Sequence, residues 1–271
     1  MSATSMPVVF FGHGSPAVAL EDSETTRAWA AMARSIGKPR AILSISAHWV
    51  TDGLRVTAMA RPRTIHDFGR SLPAALFDIQ YPVPGDPALA RRIQGLLAPV
   101  PVALDEQWGL DHGTWSVLCK AYPEADVPVV QLSMDANLTP AGHFAIGERL
   151  RPLRDEGVLI VATGNIVHNL PAMNWGDRRC APYDWAAAFN DHIRRAIVDD
   201  RPGDVVEYAA LGQAAQAAVP TPEHFWPLLY ALGARRPEDA ARLGPDHIEH
   251  GSLSMTSVLL DSRHAAADTA A

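Results

Sequence analysis

Gly157-Val158-Leu159-Ile160-Val161-Ala162-Thr163-Gly164-Asn165 is the stretch from which the fold class is read. Val158 to Ala162 are apolar without a polar break, so the strand they form must be covered on both faces, and Thr163-Gly164-Asn165 closes it with a loop signal. Met6 to Phe11 (MPVVFF) repeats the pattern and breaks at Gly12-His13-Gly14-Ser15-Pro16, and Arg40 to Ser46 (RAILSIS) repeats it again before Ala47-His48-Trp49. Val127 to Leu132 and Val56 to Met59 read as further strands, and Gly251 to Leu260 alternates as a closing one. Between them, helices are predicted over Ser23–Ala33, Pro87–Leu97, Thr139–Arg154, Trp185–Val198 and Pro222–Leu232, the last with proline in its first turn. Covered strands separated by helices predict a single α/β domain with a central, largely covered sheet over residues 1–261. Residues 262–271 (SRHAAADTAA) read as a flexible tail.

Composition agrees with one large soluble domain: 271 residues, 48% hydrophobic, 20% charged, with formal net charge −7. That balance gives no electrostatic footprint for nucleic acid. No apolar run reaches membrane-spanning length, and MSATSMP lacks the basic and apolar parts of a signal peptide, so the expectation is a cytoplasmic protein without membrane partners. The two cysteines, Cys119 and Cys180, cannot by themselves build a disulfide framework or a thiolate metal site. Cys119 falls in an expected helix (SVLCKAY) as a buried thiol.

Eleven histidines carry the chemical signal. In α/β folds, ligands collect outside the carboxyl ends of the strands. His13, His48 and His168 stand at or just beyond three such ends. A loop histidine bonded to a backbone carbonyl accounts for any one of them, but three at equivalent points predict a His-rich metal pocket suited to zinc or iron. His224, in Thr221-Pro222-Glu223-His224, is a fourth candidate that spacing does not separate from His143 or His192. His66 in IHDFG and His112 in GLDHGTW each sit beside an aspartate, as an acid/base imidazole often does. His112 is also flanked by Trp108 and Trp115, which predicts an aromatic-lined pocket for a flat apolar ligand. Ser15 is not in a G-x-S-x-G elbow, and no dinucleotide fingerprint, phosphate loop or H-E-x-x-H is present.

Nine short segments, in order, carry a family resemblance: GHGSP (12–16), SAHW (46–49), TIHDFG (64–69), YPVPGDP (81–87), WGLDHGTW (108–115), PVVQLS (128–133), GNIVHNL (164–170), TPEHFWPLLY (221–230) and GSLSM (251–255). From Met6 to Leu260 the chain resembles the 4,5-DOPA extradiol dioxygenase-like proteins. These are class III ring-cleaving dioxygenases related to the catalytic subunit of protocatechuate 4,5-dioxygenase. The resemblance implies a non-haem metal held by His13, His48 and His224, with His168 as a fourth ligand or as the acid/base. It implies His112 and Trp115 at the substrate, with His112 also moving a proton. The protocatechuate enzymes use two histidines and a glutamate, whereas the DOPA-like branch has histidine at that place. The resemblance therefore implies Fe(II) for catalysis, while an all-histidine set also suits Zn(II) as the bound metal.

The activity implied is insertion of O2 into a catechol, DOPA-like or a related phenolic, to give a muconic semialdehyde. Two alternatives differ in class: a zinc-dependent hydrolase using the same pocket, and a non-catalytic binding module. A tetrapyrrole chelatase also starts with a strand and an HGS turn but does not explain SAHW, DHGTW and TPEH together. Arg61, Arg63 and Arg70 around TIHDFG are candidates to hold a substrate carboxylate, against the plainer reading of a solvated basic loop.

Overall fold

Alternate residues of the first strand serve two different cores. Val8 and Phe10 pack into one cluster of buried side chains and Val9 and Phe11 into another, as the period-two geometry of a strand covered on both faces requires. The computed structural model describes residues 5–262 and contains ten strands: β1 (Val8–Gly12), β2 (Ala41–Thr51), β3 (Leu54–Thr57), β4 (Val102–Asp105), β5 (Val129–Asp135), β6 (Val158–Gly164), β7 (Ala240–Leu243), β8 (Ile248–Glu249), β9 (Leu253–Ser254) and β10 (Val258–Asp261). Eight of them form one sheet in the order β4-β3-β5-β2-β6-β1-β10-β7, and β8 and β9 pair separately. The centre, β5-β2-β6-β1, is parallel. Antiparallel β3 on one side and β10 and β7 on the other extend it.

The helices are α1 (Glu24–Ile36), α2 (Pro87–Leu97), α3 (His112–Ala121), α4 (Pro140–Leu150), α5 (Asp184–Val198), α6 (Pro202–Val206), α7 (Gln213–Ala218) and α8 (Trp226–Ala234). Ile93 of α2, Ile146 of α4, Ile193 of α5 and Leu229 of α8 share the core of Val8 and Phe10, whereas Trp29 of α1 and Leu118 of α3 share the core of Val9 and Phe11. The α/β architecture with a covered sheet is as expected. Among the described residues no helix is long and apolar enough to cross a membrane. The expected tail, apart from Ser262, lies outside the described residues.

Several boundaries differ from the sequence reading for local reasons. The helix expected over Thr139–Arg154 stops at Leu150 and continues as a 3-10 turn, Arg151–Glu156, because Pro152 cannot donate to the ladder. The one expected over Pro222–Leu232 is a 3-10 turn, Pro222–His224, followed by α8, with Pro227 opening the second segment. The alternating Gly251–Leu260 is two short strands separated by Met255–Ser257. The strands β4 and β7, four residues each with partly exposed side chains, give too little alternation to be read beforehand.

Candidate active site

His13, His48, His112, His168 and His224 line one cavity of ≈ 370 Å³, within the usual size of small-molecule sites. Each arrives by a different device. His13 follows β1, and its N–H donates to Gly164 O (3.0 Å), which ties the ends of two neighbouring strands together. His48 stands inside β2 and not past its end: the pairing with β5 slips between Ile45 and Val50, and the strand runs on to Thr51. His112 is the first residue of α3, whose N-cap Asp111 accepts from the Thr114 N–H. His168, on the loop after β6, donates its N–H to Ala218 O (2.9 Å) and bridges to Leu253. His224 closes the 3-10 turn, and its carbonyl accepts the Asn165 N–H (2.8 Å).

Two glycines permit this convergence by bringing backbone close to the ligand set. A Cβ on Gly164 would lie 2.2 Å from His224 O, and one on Gly113 would lie 2.8 Å from His48 Cδ2. Neither neighbour is the loose end of a flexible chain, so both positions require glycine.

The ring centroids of His13, His48 and His224 form a near-equilateral triangle with sides of 5.1, 5.4 and 4.9 Å. His13 Nε2 and His48 Nε2 are 3.2 Å apart. Two ligands on a tetrahedral metal at bonds near 2.1 Å are separated by about 3.4 Å, so this pair already has ligand spacing. His112 overlaps His48 with centroids 3.8 Å apart, and His168 stacks on His224 at 3.5 Å with 3° between planes. Among the described residues, metal-competent groupings of donor atoms within 4.8 Å occur twice, as His13/His48/His112 and as His168/Glu223/His224. His13 Nδ1 and His112 Nδ1 are buried with no hydrogen-bond partner among the described residues. A crowd of imidazoles with an orphaned buried nitrogen fits a metal centre better than a hydrogen-bonded core.

The electrostatics favour neutral rings, the form that binds metal. Burial pushes His13 and His48 well below the ordinary imidazole value, and the neighbouring histidines add to it. Burial also lowers His224, against the pull of Glu223, and His168 falls to about 3 through burial and the adjacent His224. Burial pushes the Glu223 carboxyl up, but hydrogen bonds from His224 and Thr221 outweigh it and hold it at about 2.

Two carboxylates orient the rings. Glu223 Oε1 lies 3.2 Å from His224 Nδ1, and Asp67 Oδ2 lies 3.0 Å from His112 Nδ1 and 3.9 Å from His48 Nδ1. Asp67 Oδ1 also accepts the His112 N–H at 2.8 Å. The sequence neighbours are thus re-partnered in space. Asp67 serves His112 and not the adjacent His66, whose Nε2 is 3.0 Å from Ile79 O. Asp111 caps α3 and accepts from Gln131 and Trp108. Burial in this network raises the Asp111 carboxyl pKa, with nearby Asp67 adding to the effect.

Other expected site residues stand apart. Trp115 is fully buried, with its Nε1–H committed to Ile65 O (2.8 Å), and does not line the cavity. Phe68, whose ring lies 6.2 Å from that of Trp115, presents the aromatic face instead. Trp108 stacks on Trp49 and lines a separate groove. His143 is buried between Tyr230 and Trp226, and His192 is half-buried on α5. Arg61, Arg63 and Arg70 do not line the histidine cavity, and Arg63 donates to the carbonyls of Gln107 and Trp108. Cys119 is half-buried in α3, its thiol pushed up to about 11 by burial. Asp67 and Glu223 stand in TIHDFG and TPEH, and while Glu223 partners the adjacent His224, the histidine beside Asp67 is set by tertiary contact.

Residues 8–259 match the family model described as the catalytic LigB subunit of aromatic ring-opening dioxygenase. The chain belongs to this LigB family. It is 49% identical over 263 residues to the 4,5-DOPA dioxygenase extradiol of Escherichia coli K12, covering 95% of this chain and 96% of the relative. It is 39% identical over 254 residues to the enzyme of the same name from Beta vulgaris, covering 92% and 94%. A crystal structure of an uncharacterised Escherichia coli K12 protein superposes with TM-score 0.81 at 43% identity, covering 94% of this chain and 99% of that one. The LigB protein described here is therefore an oxidoreductase, a metal-dependent dioxygenase that takes a small aromatic substrate and O2. Its histidine pocket sits where the parallel strands end, as α/β ligand sites do.

Proposed function

We propose that this LigB protein opens the ring of a DOPA-like catechol beside its two hydroxyls to give a muconic semialdehyde, with Fe(II) held by His13, His48 and His224. The observation that carries the reading is the triangle of imidazoles of His13, His48 and His224 facing one cavity beside two further histidines. A ferrous ion, when bound, supplies the electron transfer between catecholate and O2 that zinc, without an accessible redox change, does not.

The chain's own groups do the remaining work. Phe68, Leu72 and Leu253 give the cavity an apolar lining that keeps a planar ring in place and excludes bulk water. Asp67 fixes His112 with Nδ1 toward the carboxylate, leaving its other nitrogen to exchange a proton with the diol. His168 lines the same cavity, stacked on His224, and is the group placed to carry a proton between a bound phenol and the opening ring.

A second reading of the ligand set has its own support: the donors of His13, His48 and His112 also lie within 4.8 Å of one another. Both His112 and His224 have a carboxylate beside Nδ1, hydrogen-bonded at His224 and at 3.0 Å without a hydrogen bond at His112. Metal content of His112→Ala and His224→Ala separates the two, since only loss of a ligand empties the site. The activity itself is tested by incubating the Fe(II)-loaded protein with DOPA and O2 and weighing the product. Addition of both oxygen atoms with a new semialdehyde chromophore is expected, and recovery of unopened catechol or its quinone overturns the reading.

A further inference from the structure

The cavity that holds the histidines carries charge at a second place. Besides the imidazoles, its ionisable lining consists of Glu21, Arg178 and Glu249. Arg178 Nη1 donates to Glu21 Oε1 at 2.6 Å and its Nη2 lies 2.8 Å from Glu249 Oε1. One guanidinium is thus shared between two carboxylates that come from the loop before α1 and from β8. Each carboxylate spends Oε1 on this contact. Among the described residues, no hydrogen bond or ion pair takes Oε2 of either.

The contact with Arg178 favours the ionised form of Glu249. Burial works against ionising Glu249, but hydrogen bonds from His247 and Arg178 outweigh it and keep the carboxyl below its ordinary value. The cations nearby are committed: Lys120 Nζ donates to the Glu21 carbonyl (2.7 Å), and His247 Nε2 lies 3.3 Å from the Glu249 oxygen that Arg178 already uses. With two acids and one guanidinium, the wall carries a formal charge of −1 facing a cavity whose other ionisable groups are imidazoles. A cationic group entering there finds two free carboxylate oxygens, and an anionic group meets a like charge in a partly desolvated place.

We propose that Glu21 and Glu249, held by Arg178, receive the ammonium group of the substrate's side chain, so that the enzyme selects catechols bearing an amine over catechols bearing only a carboxylate. The inference rests on the catechol reading of the histidine site and adds the residues that discriminate among catechols. Arg178 here is a positioning residue for the two acids.

The test uses four probes that differ only in the side chain: dopamine (ammonium), DOPA (ammonium and carboxylate), 3,4-dihydroxyphenylpropionate (carboxylate) and 4-methylcatechol (neither). Calorimetric binding to the Zn(II)-loaded protein measures recognition without turnover, and kcat/KM of the Fe(II)-loaded protein measures it again. Dopamine is expected to bind about tenfold or more tightly than dihydroxyphenylpropionate, the factor that ~1.4 kcal/mol of charge interaction gives. Glu21→Gln and Glu249→Gln should each lower the dopamine-to-4-methylcatechol ratio several-fold, and a circular dichroism spectrum shows whether either variant is folded. Equal or tighter binding of dihydroxyphenylpropionate, or an unmoved ratio in both folded variants, overturns the proposal. Absence of ring opening with all four probes defeats the catechol-cleavage reading instead, while the binding ratios still decide the role of the two acids.

Discussion

The imidazoles of His168 and His224 lie parallel, 3.5 Å apart, yet they are held by different parts of the chain. His224 is fixed by Glu223 through Nδ1 and by its carbonyl to Asn165, whereas His168 is tied by backbone alone to Ala218 and across to Leu253. One ring is held through its Nδ1, and among the described residues its neighbour has no side-chain hydrogen bond, which suits a ligand beside a proton carrier.

His224→Ala is therefore expected to lose the metal, and His168→Ala to keep it while kcat falls by about 10²-fold or more, the usual worth of a positioned acid/base. Metal analysis after gel filtration, read beside turnover, checks both. Loss of metal in His168→Ala to the same extent as in His224→Ala would make His168 a fourth ligand.

Asp67 Oδ1 accepts the His112 backbone N–H, and its Oδ2 stands 3.0 Å from the ring Nδ1, so the carboxylate charge lies beside the imidazole. Asp67→Asn keeps the shape but removes the charge, and kcat/KM should drop about 10- to 100-fold with the fold intact. A drop under twofold, measured on folded and metal-loaded protein, contradicts a role for Asp67 in orienting His112.

His143 supplies a pH-dependent stability term away from the cavity. It is fully buried, bonded through Nδ1 to Tyr230 OH (3.0 Å), and burial lowers it from 6.5 to about 4. Because the folded state disfavours the protonated ring, its contribution is complete above pH 6.5 and is lost as pH falls from 6.5 towards 4. The loss amounts to at most about 3 kcal/mol. Urea unfolding of the wild type and of His143→Gln at pH 7.5 and 4.5 reads this: the variant's stability should depend less on pH than the wild type's. Identical pH dependence of the two proteins removes His143 from the account.

Arg154 and Asp239 form a buried, two-pronged ion pair (2.6 and 2.9 Å) that also satisfies the carbonyls of Met6 and Ala234. Arg154→Met strands a buried carboxylate and two acceptors, and should cost about 3–5 kcal/mol in chemical denaturation. The double variant Arg154→Met/Asp239→Leu should recover part of that loss, and an equal or greater loss in the double variant argues against the pair.

The covered strands were legible because apolar runs such as Val158–Ala162 have only one soluble solution, a sheet packed on both faces. Five clustered histidines were legible as residues, from strand ends and from family motifs, since those motifs keep local sequence together, whereas His250, which also lines the cavity, carried no such signal. Their partners were not. His66-Asp67 and Asp111-His112 look like two acid–base pairs in sequence, but in space Asp67 reaches across to His112. Asp111 instead accepts from the N–H groups of its own helix. Trp115 looked like a pocket wall because it flanks His112, but its ring is fully buried in the core, and Phe68 lines the cavity. The Glu21–Arg178–Glu249 contact joins positions far apart in the chain, and no periodicity or motif signals it.

The most direct test of the central claim is oxygen uptake by the metal-stripped protein reloaded anaerobically with Fe(II) or with Zn(II), then mixed with DOPA and air-saturated buffer. The account predicts about one O2 consumed per semialdehyde formed with iron, and neither signal with zinc. No uptake with iron across DOPA and simpler catechols, together with hydrolysis of an ester or amide by the zinc form, would contradict it.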